Sequence, residues 1–402
     1  MLVAAAFSLA LPTFWISLSL GLCVLFWALS GHFHLKWQRV RAHPAAWAAV
    51  ALFALYGLGT LYSPVPSEVS LAFWGKYHKL LYIPLVISLL DDDVWRQRAA
   101  DAFFWGMLLV LAISYLNWLG WYPQRGWYLH LKDFSGQGYS VFKGRIAQNL
   151  FMAFTAYLAL DRAYRDVPRR WLWAGVALLA TANVMFLVNG RTGQLVLPVL
   201  ALWFMWKHLS RRVTLVTGIT LVMAFALQSL HGDSQQTRMF QIGHEIQAYD
   251  PKGSNQSSSG QRLEFYQNTL AITLKHPWFG WGTGSFSAAY TEFARNNKFA
   301  NTLVTNPHNE YLLTAQQLGL AGLAMLIFMG WRHWRTGQEI HGPEGQHLRA
   351  LILVIGIGAL FNSLLLDASE GKFYCLMAGI YLSAWRSKAV QGPAARTHNP
   401  AI

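Results

Sequence analysis

Apolar residues run through this chain in long blocks separated by short polar stretches. Blocks such as 44–62, 101–119, 171–188, 213–230 and 311–331 approach or exceed the roughly 17–25 residues that a helix needs to cross a bilayer. The pattern predicts about twelve spanning helices, near 1–12, 14–30, 44–62, 71–90, 101–119, 146–161, 171–188, 193–208, 213–230, 309–331, 348–366 and 371–386. The first, MLVAAAFSLALP, lacks the basic leader of a signal peptide and is read as a short span. The predicted fold class is therefore an all-α integral membrane protein. Its spans fall in 1–230 and 309–386, around one large loop at 231–308 that contains short helices; a shorter loop lies at about 120–145 and a tail at 387–402.

Composition agrees. Of 402 residues, 54% are hydrophobic and only 12% charged, against roughly a quarter charged in soluble domains. The charges that remain are ordered. Segments 31–43, 91–100, 162–170, 207–212 and 332–347 are basic, as is the chain from Arg386, and all fall on one side of a twelve-span count. Lys and Arg in short loops mark the cytoplasmic face, so both termini are expected there. The net charge of +14 is partly this signal, and no nucleic-acid motif accompanies it. Cys23 and Cys375 lie in separate apolar blocks and form neither a disulfide nor a metal site. The acidic run Asp91–Asp92–Asp93 contains a D-x-D pattern but is read as solvated loop beside WRQR.

The two long loops carry the chemistry on the other face. SGQRLEFYQNTLAITLKHPW puts Leu263, Tyr266, Leu270 and Leu274 at helical spacing, with Ser258 and Gln261 suited to a capping box. Arg262 then sits in the first turn of an amphipathic helix lying along the membrane or packed on the bundle. The glycine-rich FGWGTGSF, 279–286, lacks phosphate-loop spacing and is read as a structural turn. Arg191 sits in a tight Asn-Gly-Arg-Thr-Gly turn between two apolar helices, where Gly190 and Gly193 allow close approach of a backbone or a ligand. It is either an interfacial arginine or a functional one. In NPHNEYLL, Asn306 and Pro307 read as the cap and first residue of a helix, with His308 in its first turn. His308 is either a boundary anchor or, kept neutral near a helix N-terminus, a general base. Glu310 is wrongly placed around such a helix to orient it, so a partner must come from another element. No carboxylate cluster with metal spacing occurs on this face, so phosphate there would meet Arg and Lys.

SGQRLEFYQNTLAITLKHPWFGWGTGSF followed by HNEYLLTAQQLGLAGL resembles the core of the bacterial O-antigen ligase and O-antigen polymerase superfamily, and NGRTGQLVLPVL is similar to its arginine turn. The resemblance covers roughly 185–325. It implies a metal-independent, inverting glycosyltransferase of lipopolysaccharide biosynthesis at the periplasmic face of the inner membrane. The donor would be undecaprenyl-diphosphate-linked O-antigen and the acceptor lipid A–core oligosaccharide, with no cofactor. It also places the family's histidine on His308 and its arginines on Arg191 and Arg262; Arg145, Asn309 and Tyr311 are secondary candidates. Within the superfamily a ligase is favoured over a polymerase or a protein O-oligosaccharyltransferase. A transporter is disfavoured by the lack of internal repeats.

Overall fold

The structure is a computed structural model. It describes residues 1–121, 139–188, 190–230, 258–297, 299 and 303–385. The middle of the 120–145 loop, the first part of the 231–308 loop and the tail lie outside the described residues. Among the described residues the chain is helical without strands. In chain order the α-helices are α1 (Leu2–Ser8), α2 (Thr13–Leu29), α3 (Phe33–Arg41), α4 (Pro44–Leu58), α5 (Ser67–Gly75), α6 (Tyr82–Leu89), α7 (Asp93–Trp118) and α8 (Arg145–Arg165). They continue as α9 (Arg170–Ala182), α10 (Arg191–His208), α11 (Arg211–Leu230), α12 (Ser258–Thr273), α13 (Phe286–Asn296), α14 (Glu310–Glu339), α15 (Pro343–Gly358) and α16 (Ala368–Leu382).

Each apolar block contains a helix, but the helices are uneven. Among the described residues, three segments are long and apolar enough to cross a membrane: α7, the run Val167–Leu187 that includes α9, and α14. α2 and α3 pass the same test only as a pair bent by 115°. The block at 71–90 is broken into α5, a 3-10 turn at Lys76–Leu81, and α6. These features make the chain a membrane protein by length and composition.

The basic segments meet at one end of the bundle. Arg39 pairs with Asp91, Arg96 bonds Asp93 and Ser383, and His43 reaches the Leu382 carbonyl. Arg162 pairs with Asp101, His347 and Arg165 both hold Asp161, and the Tyr164 and His208 rings lie 4.1 Å apart. The acidic run is thereby used structurally, with Asp92 capping α7 through the Val94 and Trp95 amides. α8, α10 and α14 each run from the opposite end to this basic one. At 1.5 Å per residue the 21 residues of α8 cover about 30 Å, the thickness of a bilayer core.

α14 is broken. Gly319 adopts φ 65°, ψ −160° inside the helix, and the interruption frees backbone groups that lipid could not satisfy. The glycine-rich turn satisfies them. Trp281 and Gly282 donate to the Gln316 and Gln317 carbonyls, while Leu320 and Ala321 donate to those of Pro277 and Trp278. Thr283 N bonds Gly59 O and Gly284 N bonds Gln317 Oε1, so the amides of Trp281, Gly282, Thr283 and Gly284 are committed to the protein. The turn is a plug for a broken helix.

Candidate functional site

At the end opposite the basic loops, three helix N-termini and the 360–367 segment converge. α10 begins at Arg191, directly after a π-helical turn at Asn183–Leu187. Its glycines serve protein packing: a Cβ on Gly190 or Gly193 would lie 2.4 Å or 2.8 Å from Asn149 atoms. Asn149 Nδ2 donates to the Val188 and Gly190 carbonyls, pinning the turn to α8. Arg145, the first residue of α8, lies beside it, with its carbonyl 3.1 Å from the Gly190 Cβ position.

Arg191 Nη1 donates to Ser259 Oγ at 2.8 Å. This bond joins α10 to α12. Arg191, Thr192 and Leu195 from α10 then share a cavity of about 190 Å³ with Ser259, Arg262, Leu263 and Tyr266 from α12, closed by Phe361. Drug-sized pockets run from roughly 300 Å³ upward, so this one suits a compact group. Two arginines from distant parts of the chain line that space, and a guanidinium is the donor that binds phosphate oxygens.

The expected stripe of α12 points outward. Leu270 and Leu274 are 51% and 66% exposed, whereas Glu264, Phe265, Asn268, Thr269 and Ile272 are buried toward α13 and α14. A face that would be buried in a soluble protein is here the one open to the surroundings, in keeping with a helix along the membrane surface.

His308 lies at the next element. The helix start is three residues later than the sequence suggested: Asn309, not Asn306, caps α14, accepting from Leu312 N at 3.0 Å. Asn306 instead folds back in an Asx-turn, accepting the His308 amide at 2.8 Å and the Ser363 hydroxyl at 2.7 Å. His308 therefore precedes the helix, in a left-handed conformation with φ 55°. The Tyr266 hydroxyl lies 3.1 Å from its carbonyl oxygen and 2.8 Å from that of Leu360. Its ring is nearly parallel to Phe265, 26° between planes and 6.4 Å between centroids. Neither imidazole nitrogen has a hydrogen-bond partner among the described residues, so no triad-like carboxylate orients it. Burial first, and the Arg262 guanidinium second, hold the imidazole below its ordinary value, which keeps it neutral near pH 7. Burial likewise raises Tyr266, so its hydroxyl stays protonated and donates.

The remaining candidates divide. Asn309 is the α14 cap and its Nδ2 holds Leu360 O. Tyr311 turns away, bonding Gly356 O on α15 at 2.8 Å. Glu310 is buried, accepting from Tyr77 and from the Leu365 and Leu366 amides. Sequence reasoning missed Ser259, Tyr266 as a hydrogen-bonding group, Asn306 as a turn, and the FNSLLLD segment, in which Asn362 bonds Thr192 and Ser363 bonds Asn306. Polar residues inside an otherwise apolar block were the available signal. Among the described residues no group of three or more His, Cys, Asp or Glu is placed to hold a metal ion.

A protein of Haemophilus influenzae described as an uncharacterized protein is 24% identical over 262 residues, which are 62% of this chain and 62% of that protein. The chain thus spans less than two thirds of the relative's length. Residues 175–327 match the family described as O-Antigen ligase, a stretch that contains Arg191, the cavity helix α12, the plug and His308. Over that stretch, less than half of the chain, the protein is similar to the O-antigen ligase and O-antigen polymerase superfamily.

Proposed function

We propose that this protein is an O-antigen ligase, an inverting and metal-independent glycosyltransferase. It would move O-antigen from undecaprenyl diphosphate to lipid A–core oligosaccharide at the periplasmic face of the inner membrane. The observation that carries the reading is the shared cavity: Arg191 and Arg262 line it together, and its wall residue Tyr266 bonds His308. Sidedness is supported by the basic loops gathered at the far end of the same helices.

In this mechanism the two guanidinium groups hold the diphosphate and stabilise the charge that grows on it as the glycosidic bond breaks. His308, neutral, accepts the proton of the attacking core-sugar hydroxyl. The new bond forms from that oxygen to the anomeric carbon, on the face opposite the departing phosphate oxygen, and the configuration inverts. Undecaprenyl diphosphate leaves with the electron pair, and the proton on His308 passes to solvent. No divalent ion is needed where two fixed cations flank the leaving group.

Lipopolysaccharide from a deletion strain tests the assignment. Lipid A–core without O-antigen, with undecaprenyl-linked polymer accumulating, is the expected result. A core bearing a single repeat unit would mean a polymerase, and a normal ladder would remove both readings.

A further inference from the structure

We infer that Tyr266 and Asn306 are positioning residues that clamp both peptide groups of His308 and so fix the imidazole over Phe265, beside the arginine cavity. The inference rests on His308 acting as the base. A left-handed backbone is unfavourable for a residue with a Cβ, and such a conformation persists only where its surroundings impose it. Here they do so from both sides. The His308 amide is taken by Asn306 Oδ1, and the same oxygen accepts the Ser363 hydroxyl, which locks the asparagine in place. The His308 carbonyl is met by the Tyr266 hydroxyl, whose one proton also reaches Leu360 O and ties the clamp to the segment behind it.

The placement of Tyr266 gives the clamp a second meaning. Arg262, Phe265 and Tyr266 lie three and four residues apart, on neighbouring positions of one helix face. Arg262 and Tyr266 line the cavity, Phe265 lies against the imidazole, and Tyr266 holds the histidine backbone. One rigid helix thus carries the anion grip, the ring support and the backbone clamp. A shift of α12 on filling the cavity is transmitted directly to the base. Placing these groups to within a fraction of an ångström on one helix is what a rate that depends on geometry requires.

The test uses purified full-length protein in liposomes with one lipid-linked donor. Tyr266→Phe and Asn306→Ala should each lower kcat about 2- to 10-fold, the equivalent of one neutral hydrogen bond to the His308 backbone, while the donor KM stays within about a factor of two. Asn306→Asp keeps the acceptor for the His308 amide and should recover most of what Asn306→Ala loses. Thermal midpoints measured on the same samples separate folding from positioning. A raised donor KM at unchanged kcat would make Tyr266 a donor-contacting wall, and an unchanged kcat per folded molecule in both variants would reduce the pair to structure; either result overturns the clamp. His308→Ala is assayed beside them: an active alanine variant defeats the base assignment itself, whatever the clamp variants do.

Discussion

Arg191 donates from Nη1 to Ser259 Oγ at 2.8 Å, three residues before Arg262 on the same α12 face. A turn between two helices of the bundle and a helix of the large loop are thereby joined, and their arginines open on one cavity. If both grip one diphosphate, the planar two-pronged donor matters as much as the charge. Arg191→Lys and Arg262→Lys should each slow transfer about 10- to 150-fold, the equivalent of a charge-assisted hydrogen bond worth roughly 1.5–3 kcal/mol. The double variant should fall short of the product of the single losses, because both serve one leaving group. Single-donor rates for the four proteins decide it; strictly multiplicative losses would separate the two arginines.

His308→Ala should abolish transfer while leaving a folded, membrane-inserted protein, since the imidazole makes no hydrogen bond that other elements rely on. The pH dependence carries more information. A base works in its neutral form, and burial with Arg262 lowers the His308 pKa. Activity should therefore persist below pH 6.5, the ordinary imidazole value, and fall only at more acid pH. Arg262→Gln removes a positive neighbour, so its acid limb should move upward toward 6.5 even though its overall rate drops. A limb that stays in place would remove Arg262 from the electrostatics of His308.

The helices were legible because a bilayer demands long apolar runs, and every block the sequence offered holds one. Their interruptions were not legible. Nothing in QQLGLAG distinguishes Gly319, in a left-handed break, from Gly330, in open helix, because the difference lies in the turn at 277–284 that plugs the break. The three-residue error at the start of α14 has a similar origin. Asn306 and Asn309 are equally good caps, and Pro307 favours the first. What decides is Ser363, from the segment before α16, which engages Asn306 in its turn. The stripe on α12 was seen but its direction was open, since periodicity does not tell core from lipid. Arg191, Arg262 and His308 were found as oddities of placement and through the resemblance; their convergence is a tertiary fact.

Transfer by the purified protein should be unaffected by EDTA. The proposed countercharge is two guanidinium groups, which do not dissociate. Turnover measured with chelator, and again after adding Mg²⁺ or Mn²⁺, checks this. Activity that vanishes and is restored by either ion would overturn the arginine-only mechanism.

The plug makes the last prediction. Gly319→Ala forces a Cβ onto a residue at φ 65°, where it would lie 2.3 Å from the Trp278 carbonyl carbon and oxygen. At ψ −160° this is a backbone region that glycine almost alone occupies, and holding alanine there costs about 1–3 kcal/mol by itself. The clash adds to it because the neighbour is backbone and cannot swing away. Separating the turn from the helix would also strand the amides of Leu320 and Ala321, each costing several kcal/mol in an apolar surround. Gly330→Ala is the matched control in the same helix: its Cβ meets nothing within 4 Å, and alanine is the better helix former by roughly 1 kcal/mol. Gly319→Ala should therefore lower the thermal midpoint in detergent and the yield of folded protein, while Gly330→Ala leaves both unchanged or improved. Equal midpoints for the two variants would show that the break in α14 relaxes without cost, and that the glycine-rich turn does not hold it.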